Sequence, residues 1–152
     1  MSRAFVKEDD AVDGLPERPI SSHENYVTAR GLELIEAALS RAQSDHAAAQ
    51  AAADREALAS SARELHYWQQ RRASAQLISP PPDCDKVHFG STVTIERDDG
   101  RRQSWRIVGE DEADPAHGTL SYASPVARAL AGRKVGEVVQ AGNSEAKIVA
   151  IE

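Results

Sequence analysis

The sequence predicts an α+β fold, with an amino-terminal antiparallel α-helical hairpin followed by an antiparallel sheet that carries one short helix. Three observations predict it. Between residues 28 and 76 the apolar residues recur at steps of three and four, the spacing of a coiled-coil face. After Val87 the apolar period changes to two, which is typical of strands with one buried face. A short helix with clear start and stop signals interrupts this second pattern, so we expect two parts of different architecture.

Residues 1–27 are predicted to form a flexible acidic tail. They contain the acidic cluster Glu8, Asp9 and Asp10 together with Pro16 and Pro19, and no apolar period runs through them. A segment of this composition has too little apolar surface to bury and does not fold by itself.

The helical hairpin is predicted over residues 28–76. Thr28 is a suitable N-cap for the first helix. The best cap between the two helical patterns is Asp54, which places the turn near residues 52–54. The residues predicted to share the helix–helix seam are Leu32, Ile35, Leu39, Ala42, His46, Ala49 and Ala53 in the first helix, and Leu58, Ala62, Leu65, Trp68, Arg72 and Ala75 in the second.

A proline-rich linker is predicted over residues 77–86, because three consecutive prolines at 80–82 forbid further helix. Residues 87–152 then form the second domain. The stretch 91–108 predicts two strands joined at an Asp-Asp-Gly turn, residues 98–100. Three more strands are expected, near residues 118–121, 137–141 and 146–151, with a turn at Gly142 and Asn143 between the last two.

The short helix of the second domain has signals at both ends. Ser124 is a suitable N-cap, Pro125 fits the first helical position, and Gly132 provides a left-handed stop. The Ser124–Pro125 corner would begin a helix well in any protein, and it can also serve as a contact surface. The two interpretations are compatible.

Charge and composition exclude several classes of function. The net charge is −6, and no region has the basic excess that drives phosphate binding, so we expect no autonomous binding of nucleic acid. Cys84 is the only cysteine, which excludes an internal disulfide and fits a reducing compartment. No long apolar run is present, so we expect no membrane association and predict a cytoplasmic protein. The pattern does not indicate an oligomeric state.

Neither catalytic nor metal-binding residues are predicted. The five histidines are scattered without a ligand spacing, and no set of nucleophile, base and orienting residue is recognisable. We therefore do not expect an enzyme.

The second domain resembles the carboxy-terminal domain of the GreA/GreB transcript cleavage factors. The residues that carry the resemblance are Ile107, Val108, Gly109, Glu112, Ala113, Asp114, Ser121, Ser124, Pro125, Ala127, Ala129, Leu130, Gly132 and Gly136. Residues 87–100 resemble the first hairpin of that domain, and residues 26–31, Tyr-Val-Thr-Ala-Arg-Gly, are similar to the family's entry into its amino-terminal hairpin.

The resemblance implies a fold of the FKBP type for residues 87–152 and bacterial RNA polymerase as the partner. In this family the carboxy-terminal domain docks at the rim of the polymerase secondary channel, and the helical hairpin enters the channel. By the same resemblance, Ser124 and Pro125 belong to the polymerase-binding surface. The polymerase performs the chemistry, and an acidic loop at the hairpin tip helps to hold a Mg²⁺ ion in its active centre.

The hairpin tip departs from the family pattern. The family's Gly-Asp-x-x-Glu-Asn loop is absent, the hairpin is shorter than usual, and the tip offers only Asp54 and Glu56. One interpretation is structural, with Asp54 as a helix cap and Glu56 complementing the helix dipole. The other is a residual metal role. We predict no cofactor, other than the polymerase's own Mg²⁺ if the tip acids act on it.

The predicted function is an RNA polymerase-binding transcription elongation regulator that acts at the secondary channel and modulates transcript cleavage in backtracked complexes. One alternative is a regulator that occupies the channel without stimulating cleavage. Another is a protein-interaction module built on the helical hairpin. A prolyl isomerase of the FKBP type would need an aromatic pocket, and the second domain offers only Phe89, Trp105 and Tyr122.

Overall fold

The structure is a computed structural model that describes residues 16–152. The acidic cluster at residues 8–10 and the first 15 positions of the expected tail lie outside the described residues. The chain forms two compact units. We call the described residues 16–22 and 35–74 the hairpin unit, and residues 23–34 and 75–152 the sheet unit. The elements in chain order are β1 (Tyr26–Val27), α1 (Ala29–Ala52), α2 (Arg55–Ser74), β2 (Gln76–Leu77), β3 (Thr92–Arg97), β4 (Arg102–Val108), a 3-10 turn (Pro115–His117), β5 (Thr119–Ser121), α3 (Pro125–Leu130), β6 (Val138–Ala141) and β7 (Ser144–Ile151).

The hairpin unit pairs α1 with α2 in antiparallel orientation. Near one end, Nε of Arg72 lies 3.1 Å from a carboxylate oxygen of Glu36. Farther along the pair, Nδ1 of His46 lies 3.1 Å from Oγ of Ser61. The residue number rises along one helix as it falls along the other, as a hairpin requires. Since α1 ends at residue 52 and α2 begins at residue 55, the position predicted for the turn is confirmed.

The predicted seam is correct in α1 apart from Ala53, which is exposed and lies in the turn after the helix, and it is displaced by one residue in α2. In α1, Ile35, Ala42 and Ala49 are buried at the expected seven-residue spacing. In α2 the buried residues are Ser61, Tyr67 and Arg71, instead of the predicted Ala62, Trp68 and Arg72.

The amino-terminal segment of the hairpin unit explains part of this displacement. The guanidinium carbon of Arg18 lies 3.7 Å from the centroid of the Tyr67 ring, and its Nη1 bonds Oε2 of Glu64 at 2.9 Å. Residues before α1 therefore cover a face of α2 that a two-helix pattern assigns to solvent. Trp68 is half-buried and packs edge-on against Tyr67, with ring centroids 4.9 Å apart.

The sheet unit contains a five-stranded sheet in the order β5-β4-β3-β7-β6. One face of the sheet packs against α3 and provides the core. The core residues are Val87, Val93, Ile95, Ile107, Ala127, Leu130, Val139, Ala141, Ala146 and Ile148. Their alternation along the strands matches the predicted period of two, and the α+β class is confirmed. The two predicted hairpin turns also form, between β3 and β4 and between β6 and β7.

The sheet is mixed, whereas the sequence pattern predicts an antiparallel sheet. Strand β5 lies parallel to β4, with Arg106 opposite Thr119 and Val108 opposite Ser121. A tight hairpin between them would have given an antiparallel pair. Residues 109–118, which contain the 3-10 turn, instead return the chain toward the end of the sheet at which β4 begins. Strand β5 therefore runs in the same direction as β4.

A second, two-stranded sheet joins the segments that flank the helical hairpin. Strands β1 and β2 pair in parallel, with Tyr26 opposite Gln76 and Val27 opposite Leu77. The amide of Gln76 donates to the carbonyl of Asn25 at 2.8 Å, and the amide of Ile78 donates to the carbonyl of Val27 at 3.0 Å. The end of the expected tail and the start of the expected linker are therefore paired with each other in the sheet unit.

Gly109 allows this small sheet to approach the loop after β4. A Cβ atom placed on Gly109 would lie 2.5 Å from the backbone carbonyl oxygen of Tyr26, closer than two such atoms can come. Since the obstacle is backbone, it cannot rotate away as a side chain would. Close packing, rather than an unusual backbone angle, explains the glycine at this position.

We expect Gly109→Ala to lower the free energy of unfolding by about 1–3 kcal/mol, because the added methyl group must push β1 away from the loop. Urea denaturation followed by circular dichroism measures this change. Gly31→Ala is the matched control, since the nearest atom there is the mobile end of Glu112, at 2.8 Å. A Gly109→Ala protein as stable as the unmodified chain would show that the close approach does not constrain the fold.

Candidate functional site

The hairpin tip carries Asp54, and the structure uses this residue as a helix cap. Its Oδ1 accepts a hydrogen bond from the amide of Ala57 at 3.1 Å, and its carbonyl accepts from the amide of Leu58 at 2.8 Å. These are the bonds of an N-cap. The residue before it, Ala53, has φ of +50°, a left-handed conformation that reverses the chain within two residues. Asp54 is exposed, but one of its carboxylate oxygens is already bonded.

Glu56 lies in the first turn of α2 and is exposed. A carboxylate at this position complements the partial positive charge of the helix N-terminus. Within residues 16–152, no group of three or more His, Cys, Asp or Glu side chains is arranged to hold a metal ion. The tip therefore presents two separate carboxylates, one of them engaged in a cap, rather than a preformed site.

The Ser124–Pro125 corner is built as the sequence predicts. Oγ of Ser124 accepts a hydrogen bond from the amide of Ala127 at 3.4 Å and donates to the carbonyl of Ser121 at 2.7 Å. Pro125 occupies the first helical position and is exposed. Gly132, with φ of +74°, has the left-handed conformation expected of the stop. The Ser124 hydroxyl is thus used within the domain, and Pro125 provides the accessible surface of the corner.

An aromatic cluster lies just before this corner in the sheet unit. The ring centroids of Tyr26 and Tyr122 are 5.3 Å apart, and those of Phe89 and Tyr122 are 5.6 Å apart. The hydroxyl of Tyr26 donates to Glu24, and this bond raises the pKa of Tyr26 above its ordinary value. Because β1 supplies Tyr26, the strand pairing and the corner share one packed group of side chains.

Sequence reasoning missed the contact between the start of α1 and the loop after β4. The hydroxyl of Thr28 accepts from the amide of Gly31 at 2.9 Å, which caps α1 as predicted. The same hydroxyl donates to the carboxylate of Glu112. Both residues stand in the stretches that resemble the GreA/GreB family, but their separation of 84 positions hides the pairing.

Most of the sheet unit matches a known protein family. Residues 81–152 match the family described as "Transcription elongation factor, GreA/GreB, C-term". These residues therefore form a domain of the GreA/GreB family. The Ser124–Pro125 corner lies inside the matched residues, and the hairpin tip lies outside them.

Relatives of the GreA/GreB family match a larger part of the chain. The chain is 39% identical over 97 residues to transcription elongation factor GreA of Desulfovibrio desulfuricans, covering 62% of this chain and 59% of that one. It is 36% identical over 96 residues to transcription elongation factor GreB of Neisseria meningitidis serogroup B, covering 59% of each. The chain thus spans about three-fifths of the length of these curated relatives.

A solved structure of a GreA homologue also aligns with the chain. The crystal structure of GreA factor homolog 1 of Thermus thermophilus aligns with a TM-score of 0.43 and 23% identity, covering 86% of this chain and 99% of that one. Among the described residues, no helix combines the length and apolar character needed to cross a membrane.

We expect Asp54→Ala to lower the free energy of unfolding by about 1 kcal/mol, because α2 loses its N-cap. Asp54→Asn keeps a capping oxygen and removes the charge, so its stability should stay close to that of the unmodified chain. Thermal unfolding followed by circular dichroism compares the two. Equal losses for Ala and Asn would mean that the charge, and not the cap, stabilises the tip.

We expect Ser124→Ala to lower the free energy of unfolding by about 1 kcal/mol, since both hydrogen bonds of the hydroxyl disappear. Ser124→Thr retains the hydroxyl and serves as the control. Chemical denaturation of the two variants gives the difference. If the alanine variant unfolded at the same urea concentration as the threonine variant, the hydroxyl would have no structural role.

Proposed function

We propose that this chain binds bacterial RNA polymerase through its sheet unit and regulates transcription elongation at the secondary channel. The observation that carries the proposal is the match of residues 81–152 to the GreA/GreB carboxy-terminal domain. The relatives named above are transcription elongation factors. The chain supplies a contact surface and a helical hairpin, and the polymerase supplies the catalytic centre.

The contact surface in this proposal centres on Pro125. Its ring is exposed, and the bonds of Ser124 fix the direction in which it faces. The aromatic cluster of Tyr26, Phe89 and Tyr122 supports the same corner from inside the sheet unit. We assign Ser124 the role of a positioning residue and Pro125 that of a contact residue.

Within this proposal, the tip favours a regulator that occupies the channel over one that stimulates cleavage. A carboxylate that completes a Mg²⁺ shell must offer its oxygens to the ion. Oδ1 of Asp54 accepts a hydrogen bond from the amide of Ala57, which leaves only Oδ2 for an ion, and within residues 16–152 no third metal-ligating side chain joins Asp54 and Glu56. Occupying the channel requires no ligand from the tip, only a projecting helical pair, which α1 and α2 form with 24 and 20 residues.

Association with core RNA polymerase, measured by co-sedimentation or pulldown of the purified components, tests the proposal. We expect the unmodified chain to bind and Pro125→Arg to bind at least about tenfold more weakly, since a charged side chain replaces an apolar contact. Pro115→Arg is the matched control, because Pro115 is also exposed and also opens a short helical turn. No association of the unmodified chain would refute the proposal.

A cleavage assay on stalled, backtracked complexes separates the two modes of action. We expect no stimulation by the chain alone, and slower cleavage when the chain is added together with a cleavage-stimulating GreA, because the two compete for one channel. If the chain alone accelerates cleavage and Asp54→Asn abolishes that effect while retaining stability, the tip acids act on the metal and the channel-occupying mode is wrong.

A further inference from the structure

The hairpin unit contains a groove that the proposed function does not use. It has a volume of about 410 Å³ and is lined by Glu17, His46, Arg55, Leu58, Ala59, Ala62 and Arg63. Most of the lining comes from one face of α2, because residues 55, 59 and 63 follow one another at steps of four. His46 comes from α1, and Glu17 from the segment that precedes it.

Small side chains explain why the groove is open. Ala59 and Ala62 form its floor between two long arginines, and an alanine leaves the space that a leucine at either position would fill. The α-carbons of Arg55 and Arg63 are about 12 Å apart along the helix, at 1.5 Å per residue. Both guanidinium groups can therefore face one elongated ligand.

The two arginines have no partner within the described part of the chain. Nε of Arg63 is buried and makes no hydrogen bond, so the Arg63 guanidinium is not neutralised by a described side chain. Arg55 is exposed and forms no ion pair with residues 16–152. The acidic residue of the groove is already engaged, because Oε2 of Glu17 lies 3.0 Å from Nε2 of His66.

The polarity of the groove is specific to this face of α2. The opposite face borders a smaller groove of about 230 Å³, lined by Ala42, Asp45, Ala57, Ser60, Ser61 and Glu64. That groove carries two carboxylates and no arginine. Of these two grooves only the larger carries arginine, although residues 28–76 hold equal numbers of basic and acidic residues.

The histidine of the groove is held in a defined orientation. Nδ1 of His46 lies 3.1 Å from Oγ of Ser61, and the same Oγ donates to the carbonyl of Leu58 at 3.2 Å. This contact fixes the position of the imidazole ring at the edge of the groove.

We propose that this groove binds a small molecule with two or more phosphate groups, of the nucleoside diphosphate class. Arginine forks bind phosphate oxygens in bidentate fashion, and two of them separated along a helix match a ligand with more than one charged group. The volume lies in the range of small-molecule sites, and Leu58 and the two alanines offer an apolar surface for the organic part of the ligand. The inference concerns the chain alone and does not depend on binding to polymerase.

Isothermal titration calorimetry of the full chain with ADP, at pH 7 and low ionic strength, tests this site. We expect saturable binding of one ADP per chain with a Kd below about 1 mM, and at least about tenfold weaker binding by Arg55→Gln/Arg63→Gln. Arg41→Gln/Arg106→Gln removes the same charge at exposed positions outside the groove and should bind as the unmodified chain does. Ala59→Leu should also weaken binding at unchanged charge, because it fills the floor.

Two further comparisons decide the class of ligand. Pyrophosphate should bind more weakly than ADP, because it lacks the nucleoside that would contact the apolar surface of the groove. Citrate should bind more weakly than pyrophosphate, because it carries carboxylates in place of phosphate groups. The proposal would be overturned if no saturable binding were seen, if both arginine double variants weakened binding equally, or if citrate bound as tightly as ADP. It would also be overturned if the chain bound single-stranded RNA oligomers but not ADP in the same titration. Circular dichroism of every variant checks that the variant is folded, so that a loss of binding cannot be attributed to unfolding.

Discussion

The pairing of β1 with β2 is the constraint that holds together the two segments flanking the helical hairpin. The helices α1 and α2 lie between these two strands in the sequence, so four residues of parallel sheet close a loop of nearly fifty. Closing a loop of that length costs conformational entropy, and the compensating contacts are concentrated in the sheet unit. Gly109 lets the backbone of Tyr26 lie against the loop after β4, and the Thr28 hydroxyl bonds Glu112.

The sequence predicts well those features that depend on residues close to one another in the chain. The turn between the helices, the Asp54 cap, the Ser124 cap and the Gly132 stop each require only four or five consecutive residues, and each forms as expected. The strands of the large sheet also follow from their own alternation. Hydrogen bonds between neighbouring residues are sufficient to predict these elements.

Features that join distant segments cannot be predicted from local sequence patterns. The parallel pairing of β5 depends on the path of a ten-residue connection, and the pairing of β1 with β2 joins residues about fifty positions apart. The displaced seam of α2 has a similar origin, since Arg18 covers Tyr67 from outside the helical pattern. The arginine groove needs three segments of the hairpin unit, so neither charge counts nor spacing reveals it.

The bonding of Ser124 limits how the corner beside it can be recognised. Its hydroxyl proton and one of its lone pairs are both spent on backbone groups of the same loop. A surface at this corner therefore offers the contour of a proline ring and a rigid bend, with no hydroxyl proton to give away. In the proposed contact, the shape of the residue at position 125 would therefore matter more than any hydrogen bond from Ser124.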